Sequence, residues 1–144
     1  HELVDFNLPL SLTHGDFWSG NVIITEKNMP IYFDWSDASV SHPFFDAATF
    51  LADVPETLPH VDNAHDYLLD AYLDEWTRYS TLDNLHHAYA LASVLAYLHQ
   101  ALFYYVHILP GIETTVRWEL ASIPARQLQQ VITAMDTFQE WRTR

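Results

Sequence analysis

The chain has 144 residues, 49% of them apolar, which is enough to bury one core, so an intrinsically disordered chain is excluded. It carries no cysteine, which rules out disulfides and thiolate metal sites. Its net charge of -13 argues against a nucleic-acid partner, and it is uneven: residues 1–80 hold 14 acids against Lys27 and Arg78, residues 81–144 hold 5 acids against 4 arginines.

The chain shows no signal pattern at its start, and no apolar run is read as reaching the roughly 18 residues of a membrane span. The expectation is a soluble, cytoplasmic protein with no membrane partner. His1 stands where an initiator would, so the chain is expected to be a piece of something longer.

Residues 1–13 alternate apolar positions around Pro9 and read as an extended approach. Val22 to Thr25 and Ile31 to Phe33 are β-branched and aromatic runs, separated by Glu26-Lys27-Asn28-Met29-Pro30, and predict a β-hairpin. Ser41-His42-Pro43 offers a cap for a short helix from Phe44 to Asp53, stopped by Pro55. Leu69, Tyr72, Leu73 and Trp76 predict a second, amphipathic helix within residues 62–79. Thr81 or Asp83 then caps a third, apolar on most faces to about Leu109 and expected to be the buried central one, ended by Pro110-Gly111. A final helix, starting near Glu113 and kinked or doubled near Pro124, where Ser122 offers a fresh cap, carries Leu128, Val131, Ile132, Met135 and Phe138 and is expected to pack back through them. The fold class is mainly α with a small β-hairpin, a helical bundle bearing polar groups at one end.

Those polar groups are Asp16, Asn21 and Asp34, set among runs that read as buried strand. Burying carboxylates without partners costs several kcal/mol each, so the set is read as holding a cation or a substrate. Asp16-x-x-x-x-Asn21, with an aspartate after the next hairpin, is the spacing at which kinases place a catalytic base and two metal ligands. Phosphoryl transfer needs such a set because hard oxygen ligands hold the cation that neutralises the moving charge, and a carboxylate aligns and deprotonates the attacking hydroxyl.

The segments His14-Gly15-Asp16-Phe17-Trp18-Ser19-Gly20-Asn21, Ile31-Tyr32-Phe33-Asp34-Trp35 and Pro43-Phe44-Phe45-Asp46 resemble the aminoglycoside phosphotransferase family, the kinase-like group that includes choline and fructosamine kinases. The likeness is strong over residues 12–52 and is one of helical pattern beyond. It implies a kinase-like C-terminal catalytic lobe spanning 1–144, transferring the ATP γ-phosphoryl group to a hydroxyl of a small molecule, whether cationic or not. Asp16 then matches the catalytic base, Asn21 and Asp34 the magnesium ligands, and Asp46 an acid bracing the catalytic loop, with His14 as structural support. Asp37, Trp18, Asp66 and Asp70 are candidate substrate contacts; for the stripe Asp62, Asp66, Asp70 and Asp74 a solvated face is the favoured reading. No Gly-rich hairpin or strand lysine precedes the loop, so the N-terminal nucleotide lobe is expected to lie outside this chain, and the fragment alone to be inactive. The alternatives are a non-catalytic kinase-like binding domain and, ranked last, a metal-dependent hydrolase.

Overall fold

A computed structural model describes residues 3–113 and 120–142. After a 3-10 turn at Val4–Phe6, strand β1 (Ser11–Thr13) leads to a second such turn at Ser19–Asn21, then β2 (Val22–Ile24), β3 (Pro30–Tyr32) and β4 (Ser39–Ser41). Helices follow: α1 (Phe44–Ala52), α2 (Val54–Thr57), α3 (Ala64–Asp74), α4 (Leu82–Phe103), a π-helical turn (Tyr104–Ile108), the short α5 (Leu109–Gly111) and α6 (Ile123–Arg142).

The predicted hairpin is β2 and β3, antiparallel with Ile23 opposite Ile31. Its turn closes because the Thr25 N–H donates to the Met29 carbonyl at 2.9 Å and Asn28 takes a left-handed φ of 57°. The expectation that its strands are buried is corrected: Ile23, Ile24, Ile31 and Tyr32 are all exposed, because this two-stranded ribbon has no third layer among the described residues. A second ladder, β1 with β4 (Leu12 opposite Val40), turns the extended approach into a strand and ties the segments flanking the hairpin together.

Ser41 does not cap α1, since it belongs to β4. The His42 ring does so instead, its Nδ1 accepting the Phe44 N–H at 3.3 Å. Thr81 caps α4 as expected, accepting the Asn84 N–H at 3.4 Å.

The core centres on Phe44, Leu73 and Leu85, fully buried where α1, α3 and α4 meet. Helix α4 is central, though not buried on all sides. Its inner face is made of small residues, Ala88, Ala92, Ala96 and Ala101, with Tyr89 and Tyr97, which lets α1 and α6 approach closely. Leu95, Leu98, Leu102 and Val106 point outward. Contrary to the sequence reading, Leu82–Gly111 is long and apolar enough to cross a membrane by length and composition, with mean hydropathy 1.2 in its most apolar window, one third of which is buried here. Histidines and Gln100 break the apolar run to the eye without adding formal charge.

The face expected to pack α6 is also revised. Val131 and Ala134 turn inward, and the Phe138 ring meets His87 at 5.4 Å, whereas Leu128, Ile132 and Met135 form an exposed stripe. The start expected near Glu113 runs into residues 114–119, outside the described residues.

Candidate active site

Four elements converge on the loop between β1 and β2. Asp46, in the first turn of α1, accepts the Gly15 N–H at 3.0 Å on one carboxylate oxygen and the His14 N–H on the other. The His14 ring, 2% exposed, donates from Nε2 to the Phe33 carbonyl at 2.8 Å and lies against Trp35 with 4.7 Å between ring centres. A carbonyl can only accept, so Nε2 carries the proton and His14 spans the loop and the hairpin's exit. From α4, the Gln100 side chain donates to the Gly15 carbonyl at 3.0 Å. Gly15 sits at φ 85°, and a Cβ there would come within 2.3 Å of the Asp37 carbonyl oxygen, so only glycine fits.

This bracing sets the polar groups. Asn21, 6% exposed, donates from Nδ2 both to the Asp16 carbonyl at 2.9 Å and to the Asp16 carboxylate at 3.2 Å. Two acceptors on one atom fix the amide's orientation and leave its Oδ1 as a hard donor for a cation. Asp34 follows β3 at a left-handed φ of 62°, its Oδ1 accepting the Ser36 hydroxyl at 3.0 Å. Asp16 is half-buried, Asp34 and Asp37 exposed. Burial pushes the Asp16 carboxyl above its ordinary value; the Asn21 hydrogen bond opposes this, and the charges of Asp37 and Asp34 add to it. Three carboxylates are thus near enough to repel, which is the chemistry of a site that receives a cation.

Among the described residues no cluster of three or more histidine, aspartate or glutamate side chains forms a closed metal cage. The Asn21 amide oxygen and the Asp34 carboxylate are hard oxygens, the ligand type magnesium takes one or two of before completing its shell with water and phosphate.

A cavity of about 390 Å³ opens beside Asp16. Trp18 lines it, with its ring lying over Gly20, where a Cβ would sit 2.2 Å from the indole. Asp53, Glu56, Tyr104, Arg126 and Gln127 are among its charged and polar lining residues. None of these five was singled out in the sequence; the one signal is the acid pair around Val54-Pro55, and only the return of α6 makes it part of a cavity. Asp37 lines a separate cavity of about 310 Å³ with His99 and Gln100. Asp66 and Asp70 lie on the exposed face of α3, next to His65 (3.0 Å) and His86 (3.3 Å), and do not line the Asp16 cavity.

A loop strapped to a helix start, with an aspartate and an asparagine on it and a second aspartate past the hairpin, has the order of polar residues that kinases use at their catalytic loops. The comparison with known families agrees: residues 1–82 match the phosphotransferase enzyme family APH. The chain belongs to this family, the aminoglycoside phosphotransferase and kinase-like group. Searches of curated proteins and of solved structures gave no match.

Proposed function

We propose that this chain is the catalytic lobe of a kinase that phosphorylates a hydroxyl of a small molecule, with ATP as donor and the nucleotide-covering lobe outside these 144 residues. The carrying observation is the Asn21 amide: its nitrogen holds both the backbone and the carboxylate of Asp16, and its oxygen is left for a cation. In this reading Asp16 orients the acceptor hydroxyl and takes its proton as the oxygen attacks the γ-phosphorus; the bond from that phosphorus to the β-phosphate oxygen breaks and ADP leaves. Asn21 and Asp34 hold magnesium, which supplies neutralisation of the phosphate charge. Asp46, His14 and Gln100 keep Asp16 in place through the hydrogen bonds they make to its loop. A cytoplasmic setting, where ATP and magnesium abound, belongs to the same proposal.

The test is acceptor-dependent ADP release by the complete gene product, comparing wild type with Asp16→Asn and Asp34→Ala. Both variants should lose at least about 100-fold in turnover. Full activity in Asp34→Ala would overturn the magnesium assignment. Full activity in Asp16→Asn would overturn its role as the base, and absence of acceptor-dependent ADP release from the wild type would favour a binding domain.

A further inference from the structure

Two exposed apolar stripes make one face of the helix pair α4 and α6. On α4, Leu95, Leu98 and Leu102 are exposed, three and four residues apart, with Leu91 four residues before them. On α6, Leu128, Ile132 and Met135 follow the same alternation of four and three. An average period of 3.5 residues is the one a helix presents to a partner helix. Both stripes look away from α1. The other side of α4 is turned to α1 and the catalytic loop, with the Tyr97 hydroxyl donating to the Ala48 carbonyl at 3.1 Å and Gln100 reaching Gly15. On α6 the flank toward α1 carries Gln130, Thr133 and Thr137, which share a cavity with Leu51 and Ala52, so the apolar stripe lies on the opposite flank. The two helices run antiparallel, since His87 near the start of α4 meets Phe138 near the end of α6.

We infer that this face is the seam of a homodimer, covered by the same face of a second copy, so that α4 and α6 of both protomers form one four-helix interface. Area and charge select that occupant. With Tyr105 and Val106, exposed in the π-helical turn, the stripes leave roughly 700 Å² open, against about 800 Å² per partner in a standard interface. Asp83 is the single charged residue within 82–111, and none lies between Leu128 and Met135. A twofold pairing sets a surface against itself, and an uncharged surface does so without repulsion. The acids that give the chain its charge of -13 are concentrated in residues 1–80, whereas residues 81–144 hold 5 acids against 4 arginines, so two copies meet through their nearly neutral halves. A lipid surface fits less well, because helices that lie on membranes flank their apolar face with Lys or Arg, and 82–111 has neither. Since Gln100 leaves α4 on the side away from Leu98 and Leu102, the pairing keeps the Asp16 loop of each protomer open.

The test is sedimentation equilibrium of the complete gene product. Interfaces of this size span about micromolar to picomolar affinity, so at roughly 10 μM the mass should be that of two chains. Leu102→Glu and Ile132→Glu each bring an unpaired carboxylate to an apolar seam and should weaken self-association at least about 100-fold. Their circular dichroism should be unchanged, because both positions face water in the single chain. Tyr67→Glu, on the exposed face of α3, should leave the mass unaltered, and an equal loss there overturns the assignment to this face. A second readout needs no charged variant to fold. These 144 residues hold no cysteine, so Leu98→Cys, with any cysteine elsewhere in the gene product changed to serine, should react slowly with a maleimide in the dimer and faster on dilution. A dimer that survives both glutamate variants overturns the seam. A monomeric wild type overturns the second copy: a Leu98→Cys thiol shielded at every dilution then assigns the face to another part of the gene product, and flotation with vesicles of phosphatidylcholine and phosphatidylglycerol assigns it to a membrane.

Discussion

Replacing Asp46 by alanine tests the brace beneath the Asp16 loop. Its two carboxylate oxygens accept consecutive peptide N–H groups, that of Gly15 at 3.0 Å and that of His14. Alanine leaves both donors without that partner, beside a histidine that is only 2% exposed. An unsatisfied buried donor costs about 1–3 kcal/mol. Gly15 is partly open to water, so its share falls at the low end, and the sum is about 2–4 kcal/mol. Loss of a negative charge from the first turn of α1 adds a few tenths through the helix dipole. That is a large part of the roughly 5–15 kcal/mol that holds a domain folded. Asp46→Asn keeps one acceptor and should lose about half as much. Urea titration of both variants at constant m-value measures the difference. A loss below about 0.5 kcal/mol in Asp46→Ala, typical of an unremarkable surface site, refutes the brace.

Gly15→Ala should cost about 2 kcal/mol or more and abolish turnover, because the left-handed backbone is unfavourable for alanine and the added Cβ meets the Asp37 carbonyl, which is backbone and cannot swing away; retained activity by coupled assay would contradict this. Asp16→Asn should be at least as stable as wild type near neutral pH while inactive. The folded carboxyl is raised, so its favourable contribution is present below the ordinary value of 3.8 and lost as pH rises through the folded value; thermal melts across pH should show the variant's advantage shrinking on acidification. His42 is buried with its pKa lowered from 6.5 to about 4, so the neutral ring stabilises the fold above 6.5 and that stability is lost as pH falls toward 4, by about 3 kcal/mol. His42→Asn, whose side-chain oxygen can replace the cap to Phe44, should flatten that window in pH-dependent denaturation; an unchanged slope would assign it to other groups.

The hairpin and the loop were legible because their signals are local. A β-branched run, a turn and a second run specify β2 and β3 within a dozen residues, and polar residues interrupting those runs mark Asp16, Asn21 and Asp34. Pairing of Ser11–Thr13 with Ser39–Ser41 carries no such signal: three residues a side, separated by the whole hairpin, with Leu12 and Val40 facing solvent. The face of α3 held, with Leu69 and Leu73 buried, whereas those of α4 and α6 failed for a different reason. Apolar size was taken as a guide to burial, but α4 packs through alanines and α6 through Val131 and Ala134, since close helix approach favours small side chains. Leu95, Leu98 and Leu102 of α4 and Leu128 of α6 are left outside. Asp53, Glu56 and Arg126 were illegible as a group because the cavity that unites them exists only once α6 folds back over the junction of α1 and α2.

The electrostatics of the site also explain why so much of the fold is spent on one loop. Asp16 feels the charges of Asp34 and Asp37, and its burial raises the cost of its own charge. Left to itself, a flexible loop would relieve that cost by turning Asp16 toward water. It is prevented at several points: Asn21 grips the carboxylate and the carbonyl, Asp46 holds the two preceding peptides, and Gln100 reaches from α4 to the Gly15 carbonyl, 85 positions away in sequence. Thr49 adds a weaker contact from α1 to the Phe17 carbonyl at 3.3 Å. The helical bundle therefore acts as the rigid anchor against which a repulsive carboxylate cluster is held ready, and a divalent cation arriving at Asn21 and Asp34 would relieve a cost that the fold has already met. Under the proposed function the cation would enter a site that need not reorganise to accept its charge.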